Sequence, residues 1–310
     1  MEPILGSVVM RSYLCGMRGE YREAIRWIER DIRTQTLPGP LAVDYCWRAE
    51  YHLCLGKHEQ AMRDDRRVFA ISDSTGNRGM MAVSKQIEGQ MLFDRGRLDA
   101  AREMFEAHYL VDGFELSTSP LSAAFRAFFI GLLDVAAGDV PAARRGTKKI
   151  EDLVPSMSAE ARIYGVRVTN WLAILEAEIA LAEGRPDEAI RRFERGFRLK
   201  QPDSGPDLFY VNAPLTQDIL ARAYAAKGDL DRAIAEYEKL LTFDPASADR
   251  RLFNPRYEYR LAKLLEKHGD RAGALARYEK YLGYMSEADP DIPELIDAKA
   301  RVAALRSSGA

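Results

Sequence analysis

Residues Leu220–Pro245 read LARAYAAKGDLDRAIAEYEKLLTFDP. Before the glycine, Ile219, Leu220, Ala223 and Tyr224 fall at three- and four-residue spacings; after it, Ala233, Ile234, Tyr237, Leu240 and Leu241 do the same. Each set therefore shares one face of a helix. Gly228 stands between them. Glycine enters the left-handed conformation at low cost and so ends the first helix, and the charged residues that follow open the second. The stretch predicts an antiparallel helical hairpin.

The same arrangement recurs along the chain. A glycine is followed five residues later by alanine at Gly19/Ala24, Gly56/Ala61, Gly96/Ala101, Gly138/Ala143, Gly184/Ala189, Gly228/Ala233 and Gly269/Ala274, with a mean period of about 42 residues. Twelve residues before each alanine sits another small residue: Ser12, Ala49, Gly89, Gly131, Ala177, Ala221 and Ala262. Small side chains at both places let the two helices of a hairpin approach closely, where a larger one would hold their axes apart. Pro141 and Pro186 fall at the start of second helices, where a missing backbone donor is tolerated.

This small-x11-alanine pattern with a turn glycine resembles the tetratricopeptide repeat, which continues with an aromatic residue four places after the alanine and a later proline. Phe105, Phe193, Tyr237 and Tyr278 take the aromatic position, and Pro155 and Pro245 the proline position. No unit carries the family's first-helix tryptophan, Tyr224 alone sits at its tyrosine position, and the period exceeds the family's usual length of about 34 residues. The resemblance implies an all-α, right-handed superhelical solenoid of about seven hairpins with a C-terminal capping helix. The array is expected over residues 1–288 and the cap and tail over 289–310, after the break DPDIP (Asp289–Pro293), with Leu295, Val302 and Leu305 covering the last repeat. Asn254–Leu305 is also similar to the ends of repeat tails on bacterial signalling proteins, where such tails follow kinase, cyclase or DNA-binding modules. At the other end, Ile4, Leu5, Val8, Val9 and Leu14 begin without a polar cap. Either a missing N-terminal domain of a larger chain or a partner covering that end is expected, against the plain alternative of an ordinary first helix.

Composition narrows the function classes. The chain has 310 residues, 47% of them hydrophobic and 9% aromatic, enough for a mainly aliphatic core. Its 45 basic and 47 acidic side chains leave a net charge of −2, which argues against nucleic-acid binding by bulk phosphate neutralisation. The most apolar stretch, Ala123–Ala137, is interrupted by Arg126 and Asp134 and is too short to span a bilayer, so no membrane partner is expected. Cys15, Cys46 and Cys54 form no CxxC pair, which fits a reducing, cytoplasmic compartment. The phosphate-binding GxxxxGK[ST], the dinucleotide GxGxxG and the zinc HExxH are absent from the sequence. His52 and His58 straddle the Gly56 turn, which is poor geometry for a metal pair, and the carboxylate pairs Asp64–Asp65 and Asp187–Glu188 read as solvated helix faces. The basic run Arg144, Arg145, Lys148 and Lys149 is followed by Glu151 and Asp152 and reads the same way. The expectation is a protein with no catalytic residues, no cofactor and no metal.

In the family the chain resembles, the first helix of each hairpin lines the concave side, and residues six and ten before the turn glycine point inward. That register selects Val9, Tyr13, Glu50, Gln86, Gln90, Phe128, Leu132, Glu178, Arg222 and Lys263 as candidate partner-binding residues, alongside Cys46, Ile174, Asp218 and Tyr259. An extended peptide would set apolar side chains on Val9, Tyr13 and Phe128 and pair its basic residues with Glu50 and Glu178. The lysine/asparagine set with which some family members capture a C-terminal carboxylate is missing from these positions. Phe125, Phe128, Phe129 and Trp171 equally fit a hairpin core. The expected function is a non-catalytic scaffold that binds a protein or peptide in its concave groove. The alternative is an effector-sensing regulatory arm of a larger bacterial signalling protein.

Overall fold

The structure, a computed structural model, describes residues 6–109, 120–156, 162–197, 217–246 and 251–307. Among them are fifteen α-helices, a single 3-10 turn at Val154–Ser156, and no strand. The helices come in consecutive pairs: α1 (Gly6–Met17) and α2 (Tyr21–Thr34), α3 (Pro38–Cys54) and α4 (His58–Ser74), α5 (Arg78–Asp94) and α6 (Leu98–Tyr109). They continue with α7 (Pro120–Ala136) and α8 (Val140–Leu153), α9 (Arg162–Ala182) and α10 (Pro186–Phe197), α11 (Ile219–Lys227) and α12 (Leu230–Leu240). The last are α13 (Arg256–His268), α14 (Arg271–Tyr284) and α15 (Pro293–Ser307). The expected start of the first helix at Met1–Leu5 and the connection Gln201–Pro206 lie outside the described residues, as does Ser117–Pro120 apart from Pro120 itself.

Each predicted turn is built as its sequence dictates. All seven turn glycines have positive φ, between 68° and 95°. At Gly228 (φ 81°) the glycine N–H donates to the Ala225 carbonyl at 3.1 Å and the Asp229 N–H to Tyr224 at 3.0 Å, so two of the carbonyls left open at the end of α11 are satisfied. Side chains then start the second helices: Asp139 accepts from the Ala142 N–H at 2.9 Å and Asp270 from the Gly273 N–H at 2.8 Å.

All fourteen small residues of the repeat register are buried. A Cβ on Gly89 would stand 3.0 Å from the ring of Phe105 in the following helix, and one on Gly131 would stand 2.6 Å from Leu175 in the next hairpin. The small side chain thus admits both the partner helix and the neighbouring repeat. The aromatic positions are filled as expected, with Phe105, Phe193, Tyr237 and Tyr278 all buried.

By internal contact the chain divides into two compact units. One, Met81–Asp229, carries α5 to α11. Its core joins Phe105, Phe125, Phe128 and Phe129 to Leu133, Ile150 and Leu175, with ring centroids 4.6 Å apart for Phe125/Phe129 and 4.8 Å for Phe105/Phe129. A second cluster sets Ala177, Ala189 and Phe193 against Ile219 and Ala223.

The other unit joins Met1–Met80 to Leu230–Ala310, so the first two hairpins fold with the last helices of the chain. α15 covers the final hairpin through Leu295, Ala298 and Val302, which pack on Tyr259, Tyr278 and Tyr281. Leu252 fills the space that Gly16 leaves empty. The Phe253 N–H donates to the Gly16 carbonyl at 3.2 Å, and its carbonyl accepts from the buried Tyr21 hydroxyl. The Asp289 N–H donates to the Gly56 carbonyl at 3.0 Å, and Lys57 pairs with Glu287 at 2.5 Å. The turn after α1 is therefore covered by the chain's own Leu252 and Phe253, while Met10 and Leu14 on α1 stay 58% and 39% exposed.

Removing the Tyr21 hydroxyl strands a buried carbonyl, a cost of about 1–3 kcal/mol. Tyr21→Phe is expected to lower stability by that amount in a urea titration, although Tyr21 and Phe253 lie 232 residues apart. An unchanged midpoint would show that the two chain ends do not meet.

Candidate functional site

The inward register is a buried, partly polar face. Within Met81–Asp229 it runs Gln86 and Gln90 on α5, Phe128 and Leu132 on α7, Glu178 on α9 and Arg222 on α11, and only Arg222 is not buried. Phe128 stacks on Trp171 with centroids 6.0 Å apart. Arg222 spans two helices: its Nη1 donates to Glu178 at 3.0 Å and its Nε to Asp218 at 2.9 Å. These two charges, placed by register for a partner, are directed at each other. Gln86 and Gln90 differ. They are 5% and 4% exposed, and their side-chain amides have no hydrogen-bond partner among the described residues.

In the other unit Tyr13 lies edge-on to Trp47 at 5.1 Å and is buried, as are Glu50 and Cys46. Val9 is half-buried. Lys263 is exposed, its ammonium 5.5 Å from the ring centroid of Tyr259, whose hydroxyl donates to Asp297 at 2.7 Å.

A feature that the repeat register does not reveal lies in this same unit. A cavity of about 520 Å³ opens among α2, α3 and α4 and is bounded by Glu287 from the α14–α15 loop. Asp64 and Asp65, read from the sequence as a solvated face, are instead 4% and 3% exposed. The reason for Asp64 is a half-buried partner: Arg48 clamps it with Nε at 2.9 Å and Nη2 at 2.6 Å. His52 Nε2 lies 3.7 Å from the same carboxylate, and its Nδ1 is sealed from solvent without a partner. Burial, reinforced by the positive charges of Arg48, Lys57 and Arg63, lowers His52 to about 4, so it is neutral at pH 7. Nothing in the hairpin pattern could place this cavity, because its walls come from helix faces outside the register. The only sequence trace was the clustering of His52, Asp64 and the arginines within one repeat.

Among the described residues no helix is long and apolar enough to cross a membrane. Nor does any group of three or more His, Cys, Asp or Glu side chains there stand ready to hold a metal ion. Two family models described as tetratricopeptide repeat match the chain, one over residues 218–247 and the other over 87–107 and 170–195. These windows fall on the α11–α12, α5–α6 and α9–α10 pairs. These three stretches are tetratricopeptide repeats.

Several solved structures are similar to the chain at low sequence identity. Yeast Tom70 is 14% identical, with a TM-score of 0.51 over 99% of this chain and 65% of its own. A tetratricopeptide repeat protein from Parabacteroides merdae ATCC 43184 is 14% identical, with a TM-score of 0.47 over 97% of this chain and 98% of its own. The Cut9–Hcn1 hetero-tetramer of the APC/C gives 14% identity and a TM-score of 0.48, with this chain covering 47% of that one. No curated protein matches the sequence significantly.

One further group marks this end of the repeat array. Asp44 on α3 is 1% exposed, and burial, with the nearby charge of Asp31, raises its carboxyl to about 7. A carboxyl raised from 3.8 supplies stability that is present below about pH 4 and lost as pH rises through 7. His52, lowered from 6.5 to about 4, does the opposite: its contribution is present above pH 6.5 and lost as pH falls through 4. Relative to the parent protein, Asp44→Asn is expected to gain stability progressively from pH 4 to pH 8, and His52→Gln to gain as pH falls from 6.5 to 4. Urea midpoints across that range check both, and differences independent of pH would contradict the assignments.

Proposed function

We propose that this protein is a non-catalytic tetratricopeptide-repeat scaffold that seats an extended peptide segment of a partner along the inward register of Met81–Asp229. The observation that carries this reading is the pair of unpartnered amides on Gln86 and Gln90. A helix face serving only as core would hold aliphatic residues there, whereas two amides with no hydrogen bond among the described residues keep their donors and acceptors for a ligand. The two glutamines sit one turn apart on α5. Each offers a donor and an acceptor, the complement of a peptide unit's carbonyl and N–H.

Phe128 and Leu132 on α7 would supply the neighbouring apolar contact, while Glu178 and Arg222, already paired with each other, would border the peptide as a neutral ion pair. Val9, Tyr13, Glu50 and Lys263 hold the corresponding register in the other unit and would serve as a separate contact set.

Selection of peptides from a displayed random library on the whole chain tests this. Selected peptides are expected to lose about tenfold or more in affinity on Gln86→Ala/Gln90→Ala, as two hydrogen bonds are removed. They should bind Arg191→Ala, altered at an exposed residue of α10, as tightly as the parent. Equal affinity for the double variant would refute the placement.

A further inference from the structure

We propose that the cavity among α2, α3 and α4 is a binding site for a small, doubly charged oxyanion, a phosphate monoester or a dicarboxylate. This is independent of the peptide-binding reading, whose carrying residues Gln86 and Gln90 lie in the other unit. At about 520 Å³ the cavity falls within the range of small-molecule sites, roughly 300–1,000 Å³.

The charge balance of its wall gives the ligand's sign. Arg22, Arg48, Lys57, Arg63 and Arg67 line it, against Glu29, Asp64 and Glu287, an excess of two positive charges in one concavity. The carboxylates are already engaged. Asp64 takes two N–H groups of Arg48, Glu287 lies 2.5 Å from Lys57 and 3.6 Å from Arg22, and Glu29 stands 3.8 Å from Arg48. What remains is cationic. Arg67 makes no ion pair among the described residues, and Arg63 reaches only Glu59, outside the cavity, at 3.9 Å.

Arg48 is the fixed element. Asp64 holds one edge of its guanidinium, and the Tyr45 ring lies beneath it at 5.1 Å. Braced in this way, its remaining N–H groups are oriented without the entropy cost of a free arginine, which favours carboxylate and phosphate oxygens. Ile25 and Tyr45 give the wall an apolar portion for a ligand's carbon skeleton. A concave wall of one sign concentrates counter-ions of the other.

Calorimetric titration of the whole chain with glucose 6-phosphate and with succinate, at constant ionic strength held with chloride, tests the site. At least one should bind saturably and raise the melting temperature, and which of the two binds assigns the class. Arg67→Gln and Arg63→Gln, both at exposed residues, are expected to fold normally and to weaken binding by about tenfold each, the size of one lost charge-assisted hydrogen bond. Glu287→Gln, which frees Lys57 and raises the excess charge, is expected to tighten it; a residue that only braces the fold would not do that. Absence of saturable binding by both probes, or affinities unmoved by all three substitutions, would overturn the proposal.

Discussion

Where α9 and α10 meet, Ala177 and Ala189 are both fully buried, and neither side chain extends past its Cβ. That closeness is the constraint on which the rest of the structure depends. Helices held apart by larger side chains would open a gap too small for water, and the lining atoms would lose dispersion contacts with nothing in return. With alanine, glycine or serine at both register positions the gap never forms. The aromatic one turn further on, such as Phe193 or Tyr278, then closes the wedge where the helices diverge. The glycine turns follow from the same need, because helices this close must reverse direction within very few residues.

What was legible in the sequence was local and periodic. The hairpins, their turn glycines and the buried small residues each depend on residues within one or two repeats, and seven copies make the signal plain. The joining of Met1–Met80 to Leu230–Ala310 was not legible. It rests on single contacts without period, such as Leu252 against Gly16 and Tyr21 on the Phe253 carbonyl. An apolar start at Val8 and Val9 pointed to a missing domain or a partner over that end, and nothing periodic showed that the turn after it is covered by the chain's own Leu252 and Phe253. Charge was the other blind spot: Asp64 reads as solvated until Arg48, sixteen residues away, is brought beside it.

This geometry alters the energetics expected of a repeat protein. In a simple array each repeat meets only its neighbours, and stability is nearly a sum of local terms. Met81–Asp229 has that character, with hairpin following hairpin through the phenylalanine cluster and then the alanine cluster. The other unit does not. Its contacts close a loop of more than two hundred residues, which adds an entropy cost that grows only slowly with loop length but must be met before any contact forms. It also contains the unusual polar groups: the raised Asp44, the neutral His52 and the cationic cavity. Burying such groups is expensive in a unit that needs only to hold helices together.

The central claim is that steric closeness at the small-residue register holds the hairpins together, and a leucine scan tests it most directly. Ala61, Ala143, Ala189 and Ala274 would each be replaced by leucine, with exposed Arg66, Arg145, Arg191 and Ala276 replaced as controls on the same second helices. Overpacking is expected to cost roughly 1–3 kcal/mol at each alanine in urea titrations, and the controls should change by no more than about 0.5 kcal/mol. Leucine tolerated at the alanines as easily as at the controls would mean that the helices are not in close contact there, and the account would fail.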